Sequence, residues 1–555
     1  MSLLIAEPAP TLLEPAASPA GWPLHAASGS LAAAPAGTVI AYPYTGDYRI
    51  DVLLDGTDQS WGTAPQGVSA LAYRWNAPAP LGTPPSQAVT YSFMSAVPWY
   101  GGNADSAGDS GFQPFTSAQR TATRQIMATL STELGITLVE VGDSSSVYGQ
   151  IRLGNNSQQT SSGYSWLPYS TGDDRGGDIW IDDLTPGNLT NVTPGTQGFD
   201  TLLHEIGHAL GLKHPGNYNA GDSASTAPGN YLGSAEDNEN YTIMSYQEAS
   251  GFQPRDWYGM YDLLALKALY GSRGLNAGDT VYSYTDASGR VLKMIDDAAG
   301  FDTIDISAVG SLGSKTVDMR PGTFSSVGMN GGARALNNLS IDFSTVVERF
   351  VGTPYSDTVT GNDANNTFVL GTGANVADGG VGLDLAVYAG TRGAYQAAAS
   401  GSGIRVTGSN VSDTLTSVER LAFADGKLAF DIGGNAGLTA KIIGAVFGPQ
   451  NVAAHPDYVS VGLGDLDAGM SYADLMSIAI NYQLGASHSN EQLVNLLYTN
   501  VAGVAPTAEQ AAPYLAELYS GARTQAGLGI YAADLDLNVQ HVNLAGLAQT
   551  GLWSA

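Results

Sequence analysis

The sequence contains no cysteine in 555 residues. No disulfide can therefore support the fold, and no thiol can act as a nucleophile or hold a metal as a thiolate switch. Basic residues are also scarce, because 22 Lys and Arg stand against 51 Asp and Glu, giving a formal charge of −29. Binding nucleic acid needs clustered cations, so the charge argues against that class of partner. The acidic excess fits a solvated surface and, for particular residues, oxygen ligands for Ca²⁺.

The sequence also lacks the apolar runs of about eighteen residues that span a bilayer, so no transmembrane helix is predicted. Residues 1–48 contain no Lys or Arg, and prolines break their apolar stretches. A cleaved secretory signal is therefore not predicted. Residues 1–45 are rich in Ala and Pro, which predicts an extended leader. A propeptide that occupies a cleft and a disordered tail are both compatible with this composition.

The most informative segment runs from His204 to His214 and holds three of the seven histidines. On a helix, His204 and His208 project from one face, where two neutral imidazoles can bind one Zn²⁺. Gly211 allows a sharp turn that brings His214 back as a third ligand. Glu205 follows the first histidine, where a carboxylate can accept a proton from a zinc-activated water.

A bare His-Glu-x-x-His segment occurs by chance, so its neighbours decide the interpretation. With 70 Gly and 7 His in the chain, Gly211 and His214 at these offsets would arise by chance roughly once in six hundred cases. Farther along, the segment from Tyr241 to Tyr246 fits the methionine-containing turn that lies beneath the metal in metzincins, with Met244 as its methionine. Together these features predict a metzincin zinc site.

These segments closely resemble the serralysins, which are secreted bacterial zinc endopeptidases with calcium-binding repeats behind the catalytic domain. Asn217, where many relatives carry Asp, and Lys213 depart from the pattern and leave the substrate subsites open. The resemblance covers Leu203 to Asn219, Ala235 to Asp237 and Tyr241 to Tyr246.

The resemblance implies a role for each residue of the motif. It implies that His204, His208 and His214 bind one catalytic zinc and that Glu205 is the general base. It also implies that Tyr246 ligates the metal at rest and swings to stabilise the oxyanion. For export, the resemblance implies the one-step type I secretion machinery with an uncleaved C-terminal signal, although residues 551–555 lack the acidic residue that many relatives show there.

The predicted architecture is a multidomain α+β chain. A leader at 1–45 precedes a metzincin catalytic domain at 46–275, with a twisted mixed sheet and long helices. A short parallel β-roll or β-sandwich with calcium sites follows at 276–435, and a helical bundle at 436–555. The residue patterns predict strands at Ala88 to Phe93, Thr137 to Val141, Gly149 to Leu153 and Asp178 to Ile181, and helices at Thr116 to Leu134, capped by Thr116 or Ser117, and at Tyr261 to Tyr270.

The segment from Gly176 to Ile181 is predicted to be the edge strand of the catalytic sheet. In metzincins the equivalent edge runs antiparallel to the substrate, and its backbone can pair with an extended peptide. Such pairing ignores most side chains, so broad specificity would follow. An ordinary edge strand explains these residues equally well.

From Gly278 the sequence turns to Gly, Asp, Asn and Thr, as in the serralysin junction with the roll. Gly379 to Val387 fits the nine-residue repeat Gly-Gly-x-Gly-x-Asp, whereas the units at 352–357 and 361–370 are eroded. Few ions are therefore expected, and without them the acidic turns are expected to stay unfolded. The expected calcium ligands, by resemblance, are Gly278, Thr280, Asp297, Gly300, Asp302, Glu348, Asp357, Gly380, Gly382 and Asp384.

Helical signals dominate residues 436–555. Capping boxes beginning at Ser471, Ser489 and Thr507 precede apolar-periodic runs. The module resembles one that ends large bacterial surface proteins, so it could dock on a surface layer or simply cap the roll. The single histidines of this region, His455, His488 and His541, are expected to be solvated or packed residues.

The sequence as a whole predicts a secreted or cell-surface zinc endopeptidase that cleaves internal peptide bonds of protein substrates. Two alternatives remain open. One is a surface-associated calcium-binding or adhesion component with an inactive or structural metal site. The other is a protease dedicated to processing one surface-layer protein.

Overall fold

The computed structural model describes residues 45–54, 73–77, 79–100, 110–168, 174–216, 218, 231–249, 251–311 and 313–555. The leader, up to residue 44, and Asn217 lie outside these residues. The chain forms two compact units: the first holds the described residues up to Asp302 together with Arg320–Val346, and the second holds Thr303–Met319 and Val347–Ala555. The first is a mixed α/β unit, and the second combines parallel sheets with helices, which confirms the predicted fold class.

The first unit is built around one mixed sheet. Its strands lie in the order β3-β1-β4-β6-β5, and β2 pairs with the end of β4. Strands β1, β3, β4 and β6 are parallel, whereas β5 is antiparallel to β6 and β2 to β4. The bounds are β1 Val89–Phe93, β2 Ser110–Gln113, β3 Leu138–Glu140, β4 Ile151–Ser157, β5 Gly163–Ser165 and β6 Ile179–Asp182.

The predicted edge strand was wrong. Residues 179–182 form β6, which pairs with β4 on one side and with β5 on the other. The edge is β5, which begins at Gly163. All four residues of β6 are buried, as expected of an interior strand. Strand β5 has three residues, too few to show a strand pattern in the sequence.

The long helix α2 begins and buries its face as predicted. The Thr116 hydroxyl accepts the backbone N–H of Gln119, and the Gln119 side chain accepts the N–H of Thr116, which satisfies two donors that a helix start leaves open. Ala122, Ile126 and Leu130 recur at helical spacing and are buried in the core. The helices of this unit are α1 Tyr48–Asp51, α2 Ser117–Glu133, α3 Pro186–Thr190, α4 Gln197–Ala209 and α5 Met260–Tyr270.

Short strands complete the first unit. Strand β14 pairs in parallel with β8 and antiparallel with β11, and β12 with β13 forms a hairpin. The bounds, numbered in chain order, are β7 Val281–Thr285, β8 Lys293–Ile295, β11 Phe324–Ser325, β12 Met329–Asn330, β13 Ala333–Arg334 and β14 Leu339–Ile341, with one 3₁₀ turn at Asp286–Arg290.

The second unit begins as a parallel β-roll. Arg349 pairs with Thr367, and Thr367 with Leu385, so the coils repeat every eighteen residues. One sheet has the order β10-β16-β18-β22-β21-β20, and the other contains β9-β15-β17-β19-β23-β24-β25. The bounds are β9 Thr303–Ala308, β10 Lys315–Asp318, β15 Arg349–Val351, β16 Asp357–Thr360, β17 Thr367–Val369, β18 Val376–Asp378, β19 Leu385–Val387, β20 Tyr395–Ser400, β21 Gly403–Gly408, β22 Val411–Thr416, β23 Arg420–Phe423, β24 Gly426–Ala429 and β25 Leu552–Ser554, with a 3₁₀ turn at Arg392–Ala394.

The predicted helical bundle ends the second unit. Ser489 and Thr507 form capping boxes with the glutamines three residues on, and the Ser471 hydroxyl accepts the N–H of Asp474. Within the described part of the chain, every helix is too short or too polar to cross a membrane. The bounds are α6 Asn435–Phe447, α7 Asn451–Ala454, α8 Pro456–Asp467, α9 Tyr472–Leu484, α10 Asn490–Ala502, α11 Ala508–Ser520, α12 Gln525–Ala533, α13 Asp536–His541 and α14 Leu544–Thr550.

Candidate metal centre

Helix α4 carries the first two histidines into the core of the first unit. Every residue from Gly198 to Ala209 is buried, and the helix packs against β5 and β6. His204 and His208 lie one turn apart, so their rings leave the helix on the same side. Each side chain is only 2% exposed. The helix therefore presents two adjacent imidazoles inside a largely water-free region.

A turn at Gly211 brings the third histidine to the other two. Gly211 has φ of +105°, and a Cβ there would lie 2.5 Å from the carbonyl oxygen of Tyr73, so only glycine fits without strain. After the turn, the Nε2 atom of His214 lies 3.2 Å from Nε2 of His204 and 3.0 Å from Nε2 of His208. The predicted convergence of the three rings is confirmed.

Hydrogen bonds determine the tautomers of the two helical histidines. His204 Nδ1 lies 2.7 Å from the carbonyl oxygen of Ile243, and His208 Nδ1 lies 2.7 Å from that of Leu212. A carbonyl oxygen can only accept, so both Nδ1 atoms must carry the proton and donate it. Both Nε2 atoms then keep their lone pairs, which is the form that a metal requires.

The three imidazoles fit a zinc ion. Tetrahedral ligands with Zn–N bonds of about 2.0 Å have their nitrogens about 3.3 Å apart, close to the two separations given above. Among the described residues, these three are the only His, Cys, Asp or Glu side chains that form such a cluster. Structural zinc sites are closed by four protein ligands, whereas catalytic sites keep a position open. The donor set therefore fits a zinc with one coordination position left for water or substrate.

The methionine turn lies directly beneath the histidines. Met244 is fully buried, and its sulfur lies 2.8 Å from where a Cβ on Gly207 would stand. Asp262, on α5, holds the turn because its carboxylate accepts the Thr242 hydroxyl, the N–H of Ile243 at 2.8 Å and the N–H of Gly259 at 2.8 Å. Since the Ile243 carbonyl accepts from the first histidine, Asp262 positions a zinc ligand from a distance.

Glu205 lies between the helix and the edge strand. It is fully buried, and a Cβ on Gly163 of β5 would lie 2.9 Å from its Cγ and 3.0 Å from its Oε1. Burial raises the pKa of Glu205 to about 8, while the neighbouring His208 opposes that rise. A divalent cation at the imidazoles would lower this pKa, since an opposite charge favours the carboxylate. Glu205 is therefore in a position and environment where its proton affinity depends on the metal.

Tyr246 belongs to a group of stacked rings next to the third histidine. Its ring centroid lies 4.4 Å from that of His214 and 4.6 Å from that of Tyr218, to which it is nearly parallel. The Tyr218 hydroxyl accepts the backbone N–H of Tyr246 at 3.2 Å and donates to Asp237 at 2.7 Å. Burial is the largest cause that raises the pKa of the Tyr246 phenol, so it stays protonated and can donate.

Three contributors to this centre were not singled out from the sequence: Gly163, Tyr218 and Asp262. Tyr218 and Asp237 lie within the segments that resemble serralysins, but the resemblance assigned no role to either residue. Gly163 and Asp262 gave no signal, because their importance arises from contacts with residues forty or twenty positions away.

In the first unit, four of the expected calcium ligands, Gly278, Thr280, Gly300 and Asp302, lie next to one another. Asp302 accepts the N–H of Thr280 at 2.8 Å, and a Cβ on Gly300 would lie 2.8 Å from both the Gly278 oxygen and Asp302 Oδ1. Asp302 and Asp297 are 1% and 2% exposed. Buried carboxylates beside a backbone oxygen, in a cradle that only glycine leaves open, are a donor set that suits Ca²⁺.

The remaining expected calcium ligands, Glu348, Asp357, Gly380, Gly382 and Asp384, lie in the second unit. Asp384 is fully buried; one of its oxygens accepts the N–H of Asn366 at 2.6 Å, and the other has no hydrogen-bond partner among the described residues. Burial raises the pKa of Asp384 to about 7, with Glu419 adding to the rise. Gly380 and Gly382 have φ of +94° and +138°, which their tight turn requires.

Comparison with known proteins agrees with this geometry. Residues 121–257 match the model of metallopeptidase family M12. The chain is 32% identical over 338 residues to serralysin from Proteus mirabilis, covering 55% of this chain and 65% of the relative. It is 30% identical to serralysin G from Dickeya chrysanthemi and 29% identical to serralysin from Photorhabdus laumondii, covering 53% and 50% of this chain. The chain thus spans about three fifths of the length of these relatives.

Asp262→Ala should destabilise the first unit and weaken zinc binding. It removes the acceptor for three buried donors, which costs on the order of 3 kcal/mol or more. The thermal midpoint and the zinc affinity, measured with a chelating competitor, should both fall. Asp256→Ala is the control, because it removes only the partly exposed pair with Lys293, worth about 1 kcal/mol or less. Equal effects of the two variants would contradict the anchoring role.

Glu205→Gln should stabilise the metal-free protein at pH 8 but not at pH 4.5. The pKa of the folded state, about 8, exceeds the ordinary value of 4.5, so the carboxyl favours folding below pH 4.5, and this contribution is lost as the pH rises to 8. The amide is neutral throughout. Unfolding of the metal-free proteins across this range should show a gap that widens with pH by a few kcal/mol; a constant gap would refute the assignment.

Proposed function

We propose that this chain, a serralysin-like M12 metallopeptidase, hydrolyses internal peptide bonds of protein substrates. The observation that carries the proposal is the convergence of three Nε2 atoms on one point, with the Glu205 carboxyl buried beside them. A binding module has no use for a buried carboxylate next to three metal-ready imidazoles. Such a carboxylate is costly to bury, and a general base explains why it is there.

The residues divide the chemistry between binding and proton transfer. His204, His208 and His214 would hold the zinc, which supplies a water of lowered pKa and polarises the peptide carbonyl when bound. Glu205 accepts the proton of the attacking water and delivers it to the leaving amine nitrogen. The Tyr246 hydroxyl donates a hydrogen bond to the oxyanion as charge develops on it.

Substrate orientation is proposed to come from β5. Among the described strands, β5 pairs with β6 on one side and with no strand on the other. An extended peptide can add there through backbone hydrogen bonds, next to the Gly163 position that contacts Glu205. This recognition reads little of the side chains, which supports a broad range of substrates.

Calcium is proposed to stabilise two places in the chain. In the first unit the proposed ligands are Gly278, Thr280, Asp297, Gly300 and Asp302, of which the two aspartates are buried and the two glycines are exposed. In the second, Asp384 offers a buried oxygen that lacks a hydrogen-bond partner among the described residues. Glu348 remains an expected ligand by resemblance. Calcium in these places suits an extracellular protein, and we propose, as the sequence predicts, that the chain is secreted.

Glu205→Ala should bind zinc with wild-type stoichiometry and lose activity on casein by about a hundredfold to ten-thousandfold, the contribution typical of general acid–base catalysis. Zinc content by atomic emission and casein turnover should be measured on the same preparation. Glu140→Ala is the control, because Glu140 is exposed and pairs only with Arg124 among the ion pairs found. Full activity of the zinc-loaded Glu205→Ala protein would rule out the proposed base.

Tyr246→Phe should lower kcat by about a hundredfold while KM changes little. The phenol is proposed to act in the transition state only, so its loss should leave ground-state binding intact. Steady-state kinetics on a fluorogenic peptide separates the two constants. Tyr241→Phe, on the same turn, is the matched control and should be nearly silent. An unchanged kcat would remove Tyr246 from the mechanism.

A further inference from the structure

One edge of the β-roll carries a stack of four side chains, one from each coil. Lys315 pairs with Asp357, and the pairs that follow, Thr358 with Val376 and Val376 with Thr414, place Asn375 and Asp413 at the same level of their coils. We call Lys315, Asp357, Asn375 and Asp413 the lysine column.

Two members of the lysine column occupy the aspartate position of the nine-residue repeat. Counting back from Gly379 in steps of nine places Asp357 and Asn375 sixth in their repeats, where calcium-binding rolls carry a carboxylate ligand. Asp357 is also among the calcium ligands that the resemblance implies. The contacts of the column test whether a cation fits there.

The carboxylate of Asp357 is already satisfied. Its Oδ2 accepts the backbone N–H of Thr353 at 2.7 Å, and the Thr353 hydroxyl lies 3.1 Å from Oδ1 and 2.9 Å from Oδ2. Its own backbone N–H donates to Asn375 Oδ1 at 2.9 Å. Calcium would have to displace bonds that close the turn, at a cost.

The side-chain amide of Asn375, next in the column, donates hydrogen bonds to the oxygens around it. Its Nδ2 donates to Asp413 Oδ1 at 2.9 Å and to the Thr372 carbonyl at 3.3 Å. Asp413 also accepts the N–H of Asn375 at 3.1 Å and the Tyr388 hydroxyl at 3.1 Å. The N–H groups point at the oxygens that a cation would need, so calcium does not fit between Asn375 and Asp413.

Lys315 places a positive charge at the start of the column. It is 2% exposed, and its Nζ donates to the carbonyl oxygens of Ser311 at 2.7 Å and Gly313 at 2.6 Å. Turn carbonyls are among the ligands that calcium takes. Lys315 also pairs in register with Asp357 on the neighbouring strand; burial raises the pKa of the Asp357 carboxyl, and the positive charge of Lys315 opposes that rise.

We propose that Lys315 and Asn375 supply from within the chain the charge and the donors that calcium supplies in metal-binding rolls. This edge of the roll then folds without the ion, and Asp357 serves as a hydrogen-bond acceptor. The opposite edge differs, because Asp384 keeps a buried oxygen without a hydrogen-bond partner among the described residues. The inference is independent of the proposed peptidase activity.

Amide hydrogen exchange of the full chain, followed by mass spectrometry in excess calcium and in excess EGTA, tests the inference. Peptides covering residues 313–319, 353–360 and 372–378 should exchange equally in both conditions. Peptides covering residues 278–302 and 379–385 serve as internal controls, because the proposed calcium sites should lose protection in EGTA. Loss of protection along the lysine column in EGTA would overturn the inference.

Two variants test the two residues separately, both in EGTA. Lys315→Met should speed exchange in residues 313–319 and 353–360 by about tenfold or more, because it leaves buried acceptors and a carboxylate without their cation. Lys427→Met, on an exposed position of β24, is the control. Exchange no faster than in the control would exclude the lysine as the internal cation.

Asn375→Asp replaces the donating amide with a carboxylate that faces Asp413. Like charges in a buried stack repel, so residues 372–378 should exchange faster in EGTA by about tenfold or more. This variant keeps the shape of the side chain, so it also covers the case in which Lys315→Met fails to fold. Unchanged exchange would overturn the role assigned to the amide.

Discussion

Two hydrogen bonds, from the Nδ1 atoms of His204 and His208 to backbone carbonyls, are the interactions on which the metal centre depends. Without them the imidazoles could turn or exchange tautomers, and the Nε2 lone pairs would not be held toward one point. Both acceptors are carbonyls of tight turns. Gly211, which has a positive φ, and the buried Asp262 on α5 hold these two turns. They thereby determine which ring nitrogens of the histidines are free to bind a metal.

Burial of the same region explains the properties of the proposed base. A carboxyl in water is ionised at neutral pH, whereas Glu205, enclosed by α4 and the edge strand, holds its proton until about pH 8 without a metal. The cation reverses this preference. Metal binding and the basic form of Glu205 are therefore linked, and a metal-free protein is less ready to take a proton. The small residue at Gly163 is what permits the close approach of strand and carboxyl.

The sequence predicted the parts of this centre that lie close together in the chain. His204, His208, Gly211 and His214 have fixed spacings that follow from helix and turn geometry, and all four behave as predicted. The edge of the sheet could not be predicted in the same way. Which strand forms the edge depends on the spatial order of the strands in the sheet. The three-residue strand that begins at Gly163 is too short to give a periodic signal. The apolar run in β6 predicts a strand but does not show which strands lie beside it.

The roll shows why a repeat pattern alone does not determine a calcium site. Stacked turns need a bound cation when their carboxylates carry negative charge that no other group of the chain neutralises. Asn375 puts a neutral amide where the repeat has a carboxylate, and Lys315 adds a positive charge. The column of two carboxylates, an amide and an ammonium therefore has a formal charge of −1. At Asp384 the neighbouring side chains include Glu419, and no donor reaches the second carboxylate oxygen among the described residues. In a chain this acidic, the proposed result of the eroded repeat is an edge that does without calcium at the lysine column, whereas the Asp384 edge keeps the buried oxygen that calcium is proposed to bind.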